Sequence, residues 1–468
     1  MRHAAATVAA LLFAGAVHAA DDDKDLDLIP QAPAPVPSQA APPAPSVDRG
    51  NQRVYVENAL GFSSLRDDLL VPQPPPLPPR WEEHLFADAR LQRPIAPNAF
   101  VAYSGRLSLV AQEDLGFPNR GNVTHDLREL YASAEPRPRD YLDAGRINVK
   151  SGVALGFNPT DFFKARAVVD PLTADPSALR ENRLGTLMLR AQHVGEHATV
   201  SALYAPRVTD PAPIGDDRYR GFDPLFDRTN GTNRWLVKAS AQLGNGVNPE
   251  AMLFGEDGQV KAGVNVAESV GQSTVVYAEW AGGRRLGIAD EALAFGRATG
   301  TIPAAAPDVI SQGDGKRFRS QLAVGASYTT ESKITFNLEY HYNEAGFSRA
   351  DWDRWFAAGA GRPDSSFVTR ELWYIRGYAN DRQELLQRHS VFLRADWIDF
   401  LVPKLELTGF VLADATDGST LIQFEASYAR TDLWTFGVLA GGTTGGRQSN
   451  FGSLPRAASV LFKTMRYF

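Results

Sequence analysis

Between Arg317 and Asn343 the chain reads as two facing strands. One alternate set is Phe318, Leu322, Val324, Ala326 and Tyr328, then Ile334, Phe336, Leu338, Tyr340 and Tyr342. The other is Arg317, Arg319, Gln321, Gly325 and Ser327, then Thr335, Asn337, Glu339, His341 and Asn343. Successive side chains of a strand point to opposite faces, so this hairpin has one apolar face with aromatic ends and one polar, charged face. The pattern recurs to the last residue. It predicts about sixteen strands from 99–111 to 456–468, an even number as expected of a single-chain bacterial barrel.

The connections alternate as regularly as the residues. Long ones are expected at 112–122, 150–181, 206–231, 284–316, 344–387 and 443–455, with short exceptions at Asp257-Gly258 and Ala415 to Gly418. Between them every turn is short, including Asn245-Gly246, Glu331-Ser332 and Arg430-Thr431. Short turns at one rim and long loops at the other are the layout of an outer-membrane barrel, and a soluble sandwich has no reason to keep that parity. Closure is a physical requirement, because an open sheet in hydrocarbon leaves edge N–H and C=O groups unsatisfied. Threaded this way, Tyr328, Trp397, Tyr428, Trp434 and Phe468 fall at one rim and Trp235, Trp280, Phe318, Tyr340 and Tyr342 at the other. These are two interfacial aromatic belts. The expected fold is therefore all-β: a transmembrane up-and-down antiparallel barrel over 96–468, with long loops outside the cell and both chain ends in the periplasm.

The start of the chain differs in kind. Arg2 and His3, an apolar run from Ala4 to Val17 and the small-residue end at Ala19-Ala20 form a secretory signal peptide over 1–20. Residues 21–95 are rich in proline, with a cluster between Pro72 and Pro79, and predict a largely disordered periplasmic extension. A short helix is expected within it at Trp81 to Gln92. The chain has no cysteine, which removes disulfides, thiolate metal sites, haem attachment and cysteine nucleophiles. A net charge of -6 offers no footprint for nucleic acid.

On these residues the chain resembles the porin-like outer-membrane β-barrels of Gram-negative bacteria. The resemblance rests on the paired-hairpin layout and on the terminal strand Ala457 to Phe468, whose last residue is similar to the family's assembly signal. Arg466 departs from it, standing where an apolar or aromatic residue is usual. A narrower likeness lies in Tyr141 to Phe162, where a strand with Gly145-Arg146 leads into Asn158-Pro159-Thr160-Asp161. It is similar to a strand and loop of porin and polysaccharide-export barrels. The resemblance implies outer-membrane lipid, lipopolysaccharide and the barrel-assembly machinery as partners, a homotrimer as a common state, and a periplasmic partner as one use of the extension.

Chemistry is expected in the lumen. Candidate pore-lining residues are Arg146, Lys164, Arg166, Arg234, Lys238, Arg317, Arg319, Glu339, His341 and Arg394, because charged rings set ion preference in a pore. The loop 150–181 is long enough to fold inward, where Lys164 and Arg166 would meet Arg146, Arg317 and Arg319 at a constriction. Arg349 to Ala360, with Trp352, Trp355 and Phe356 at helical spacing, predicts a short self-packing helix in another loop. No nucleophile elbow, zinc motif or phosphate loop is present, and Gly441 to Gly446 is read as a loop with no βα pattern. The expected activity is passage of small polar solutes, with a lean toward anionic ones, by a non-enzymatic channel without cofactor or metal. Export of an anionic polysaccharide and a non-transport structural or adhesive barrel are the alternatives.

Overall fold

In the computed structural model, residues 52–114, 122–169, 172–215, 220–243, 247–313 and 315–468 are described. The expected signal peptide, the extension up to residue 51 and the Asn245-Gly246 turn lie outside them. The strands are β1 (Arg53–Leu65), β2 (Trp81–Ala96), β3 (Ala99–Gln112), β4 (Val123–Arg137), β5 (Asp140–Ile147), β6 (Thr186–Val194), β7 (Ala198–Ala205), β8 (Arg234–Ala241) and β9 (Glu250–Glu256). They continue as β10 (Gln259–Val270), β11 (Thr274–Arg285), β12 (Arg317–Thr329), β13 (Ile334–Asn343), β14 (His389–Trp397), β15 (Leu405–Asp414), β16 (Thr420–Thr431), β17 (Trp434–Thr444) and β18 (Arg456–Tyr467). Five helices lie in the loops: α1 (Pro176–Glu181), α2 (Phe226–Thr229), α3 (Ile288–Ala298), α4 (Arg349–Gly359) and α5 (Phe367–Asp381).

Each strand is hydrogen-bonded antiparallel to its sequence neighbours, and β1 pairs with β18 from Tyr55 opposite Tyr467 to Leu65 opposite Arg456. The sheet of 18 strands is a closed up-and-down barrel with no free edge. The loop parity persists, with 66–80, 148–185, 206–233, 286–316 and 344–388 at one rim and 97–98, 138–139, 271–273 and 330–333 at the other.

The strand count corrects the expectation of about sixteen, and the reason lies in the prolines. Both β1 and β2 fall inside the stretch read as a disordered extension, on either side of the cluster from Pro72 to Pro79. The expected helix at Trp81 to Gln92 is β2 instead. Its apolar residues Trp81, Leu85 and Ala89 recur every fourth position, which suits a helical stripe and also one face of a strand. The inward alternates Glu82, His84, Phe86 and Asp88 are all buried, which only the strand explains. The run Gly441 to Thr444 likewise belongs to β17 rather than to a loop, with Thr443 opposite Leu421 and Thr444 opposite Thr420.

The outer wall carries the apolar set. Phe318, Val324, Tyr328, Phe336, Leu338 and Tyr340 are exposed, whereas Arg319, Gln321, Asn337, Glu339, His341 and Asn343 on the alternate face are buried. The barrel is thus inside out relative to a soluble protein, as a lipid-spanning wall must be. Inside, one wall network joins Asp88 to Arg106 at 2.9 Å and to Arg128 at 2.7 Å, with Arg106 also donating to the Tyr55 hydroxyl at 2.8 Å. At the long-loop rim, α3, α4 and α5 form an apolar cluster around the fully buried Trp355, joined by Val71 from the β1–β2 connection. The α4 helix is the one expected from Trp352, Trp355 and Phe356, and it starts on a capping box of Ser348 and Asp351.

The two-sided wall makes a direct prediction. Leu338→Arg places a charge in the lipid-facing set and should lower barrel stability by about 2–4 kcal/mol, whereas Ser327→Arg on the lumen side should fold as the parent does. Urea unfolding in lipid vesicles measures both. Equal stability of the two variants would remove the spanning assignment.

Candidate functional site

Strand β5 ends at Ile147, and the chain then turns into the lumen before returning as β6 at Thr186. Two wall carboxylates receive it. Glu279 on β11 accepts hydrogen bonds from the backbone N–H groups of Val153 and of Ala154, the latter at 2.6 Å, and from the Thr160 hydroxyl at 2.8 Å. Glu339 on β13 accepts from the N–H groups of Leu155 at 2.6 Å and Gly156 at 2.8 Å. The Tyr277 hydroxyl donates to Glu339 at 2.7 Å, and His341 Nε2–H does so at 2.7 Å. The second nitrogen of His341 lies 3.3 Å from the Ser390 hydroxyl, so its ring is fully engaged.

The local sequence suits this close approach. Gly152 has φ +89°, and a Cβ there would lie 2.6 Å from both Glu279 carboxylate oxygens. A Cβ on Gly156 would lie 2.6 Å from the Phe392 ring. Both glycines lie between Gly145-Arg146 and Asn158-Pro159-Thr160-Asp161, the two ends of the distinctive run.

Beyond Thr160 the loop crosses to other parts of the wall. Met188, Leu203, Leu236, Met252 and Phe254 make the inner face of β6–β9 apolar, and Phe162 and Phe163 cover it. Phe162 stacks on Phe254 with ring centres 4.7 Å apart. Such apolar lumen positions must be shielded from water, at about 1.5–3 kcal/mol for each large side chain. Asp161 is held by Arg183 at 2.8 Å. Further on, Leu172 packs with Phe86, Leu439 and Leu461 on the far wall. The Ala174 N–H donates to the Gln423 side chain at 2.8 Å. Asp175, the N-cap of α1, pairs with Arg394 at 2.7 Å.

The expected pore-lining residues face the lumen, but most are already engaged. Arg146 is buried, with its Nε on the Gly185 carbonyl at 2.9 Å and its guanidinium over Phe226. Lys164 donates to the Asn158 carbonyl at 2.7 Å and sits over Phe157, and burial pushes its ammonium down to about 8. Arg166 pairs with Asp381 at 3.1 Å and Arg234 with Glu256 at 2.8 Å. Lys238 pairs with Glu250 at 2.8 Å. Arg317 lies exposed at the rim beside Glu344, while Arg319 is buried against the carbonyls of Arg285 and Glu344. Arg394 is divided between Asp175 and Asp396. The loop does enter the lumen, where Lys164 is held by the Asn158 carbonyl and Arg166 shares Asp381 with Arg228. Arg166, Arg234, Lys238 and Arg394 meet carboxylates, whereas Arg146, Lys164 and Arg319 are held by backbone carbonyls, because a buried guanidinium or ammonium without any partner is too costly. Glu339 and His341 anchor the loop. Phe468 follows β18, and its N–H donates to the Val54 carbonyl at 3.0 Å.

A different group of cations remains partly accessible. Lys150 and Arg180 stand on the loop, Arg190 on β6 and Arg90 on β2. Lys150 bonds Glu181, and the field of Arg90 reaches both of them. Burial raises the Glu181 carboxyl, but Lys150, Arg90 and Arg180 together outweigh that and hold it below the usual range. Arg190 pairs with Asp143 at 2.6 Å, close to Tyr131, which also feels Arg90. Arg90 escaped sequence reasoning because it fell in the supposed extension. Lys150 falls at the start of the long loop 150–181, where no strand alternation marks an inward side.

No protein-family model matches the chain, and no curated protein matches it in sequence. Solved structures do match. Pseudomonas aeruginosa OccK5 (OpdH) is 10% identical with a TM-score of 0.51, covering 89% of this chain and 97% of its own. OccK11 (OpdR) from the same organism is 11% identical with a TM-score of 0.50, over 89% and 95%. OccK8 (OprE) is 12% identical with a TM-score of 0.50, over 89% and 97%. Identities this low speak for the fold alone, and by fold the chain is a closed, porin-like β-barrel.

Proposed function

We propose that the protein is an outer-membrane channel for small polar solutes, with a preference for anions, and that it is not an enzyme. The observation carrying this reading is the loop 148–185, which crosses the lumen and brings Lys150 and Arg180, beside the acids Glu181 and Asp161, near the exposed Arg90. A narrowed passage with an excess of cations favours anions, because charges there act with little screening. The same crossing speaks against polysaccharide export, which needs a wide lumen. A non-transport barrel has one observation in its favour, the apolar cluster of α3, α4 and α5 at the long-loop rim. Conductance of the purified protein in a planar bilayer separates the two.

Long loops outside and both chain ends in the periplasm remain part of the proposal. A cysteine replacing Asp364 in the α4–α5 connection should react with an impermeant thiol reagent on whole cells, and one replacing Glu331 in the β12–β13 turn should not. The reverse pattern would invert the orientation. For selectivity, replacing Arg90, Lys150 and Arg180 together by alanine should move the reversal potential in a salt gradient toward cation preference. An unchanged potential would exclude these residues as the filter.

A further inference from the structure

Four consecutive backbone N–H groups, from Val153 to Gly156, point at the wall. The first two reach Glu279 and the next two reach Glu339. A run of N–H groups aimed to one side is an anion-binding concavity. Here the anions are side chains of the barrel itself, on two strands separated by β12, and each is no more than 1% exposed. Among the described residues neither carboxylate forms an ion pair with lysine or arginine. Their charges are met by N–H and O–H donors and by His341, with Lys164 acting on Glu279 from farther away. Charge-assisted hydrogen bonds of this kind are the strong ones, and they bind the loop by its main chain rather than by its side chains.

The same peptide carries the filter on its other side. Arg180 donates to the carbonyls of Ser151 at 2.9 Å and Gly152 at 3.1 Å, and Lys150 immediately precedes them. The segment is therefore held by its N–H groups on two acids and in turn holds a cation by its carbonyls. We infer that Glu279 and Glu339 are positioning residues that place Arg180 and Lys150 in the passage, so that two buried acids set the anion preference. This rests on the channel reading above.

The sign of the effect separates positioning from a simple field. Removing a negative charge from the wall should by electrostatics alone raise anion preference. Loss of positioning should lower it. Glu279→Gln and Glu339→Gln each replace an oxygen that accepts N–H groups by an amide nitrogen that cannot. Gly152→Ala displaces the same peptide without changing any charge, which keeps the test open if a glutamine variant does not fold. Folded protein, checked by its heat-modifiable gel mobility, is placed in planar bilayers. The expected result is an anion-to-cation permeability ratio falling toward 1, with a rise in conductance, in all variants that fold. A ratio that rises or stays unchanged overturns the inference. The latch is also read without conduction: a cysteine replacing Val153 should label about tenfold to a hundredfold faster in the Glu279→Gln background, as loss of one charge-assisted hydrogen bond implies. Unchanged labelling overturns the latch. Faster labelling in a protein whose parent does not conduct would leave the latch standing and remove the channel reading.

Discussion

Every backbone polar group in hydrocarbon needs a partner within the protein, and the rest of this structure follows from that constraint. It forces the last strand to find the first. The seam runs from Tyr55 opposite Tyr467 to Leu65 opposite Arg456, and it exists only because Arg53–Leu65 is a strand. Closure then fixes which side of each strand meets lipid. The polar alternates have nowhere to go but inward, and that concentrates arginine, glutamate and aspartate in one interior.

An interior so charged is stable only if its charges find one another. Asp88 serves two arginines, Asp381 serves Arg166 and Arg228, and Arg394 is shared by Asp175 and Asp396. Most lumen cations are thereby structural. Those left accessible sit where the inserted loop passes the β2–β6 wall, so the loop both fills the lumen and selects which charges a solute would meet. Its anchoring by main chain allows its side chains to serve other walls. Phe162 and Phe163 cover the apolar patch, and Asp175 reaches Arg394.

Much of this was legible in the sequence. Period-two alternation identified β3 to β18 because a lipid-facing wall must be apolar at every second residue, and the loop parity followed. The N-terminal pair was not legible, since Asn58 and Glu83 interrupt the outward files of β1 and β2 and nearby prolines dominate the composition. The inward turn of the loop could be suspected from length alone. Which cations stay accessible could not, because that depends on partners distant in sequence: Arg166 and Asp381, or Ser151 and Arg180. Gly152 and Gly156 carried a usable signal, as small residues beside Asn158 and Thr160 mark a peptide that approaches another surface closely.

All of the lumen geometry depends on the loop after β5 lying inside the barrel against β11 to β13. Ala154 on the loop and Ala323 on β12 are both fully buried in one small apolar cluster, and the chain contains no cysteine of its own. Cysteines at these two positions should join under mild oxidation in native membranes, giving a shift in gel mobility that reduction reverses. Two free thiols after oxidation of folded protein would place the loop elsewhere and contradict the account.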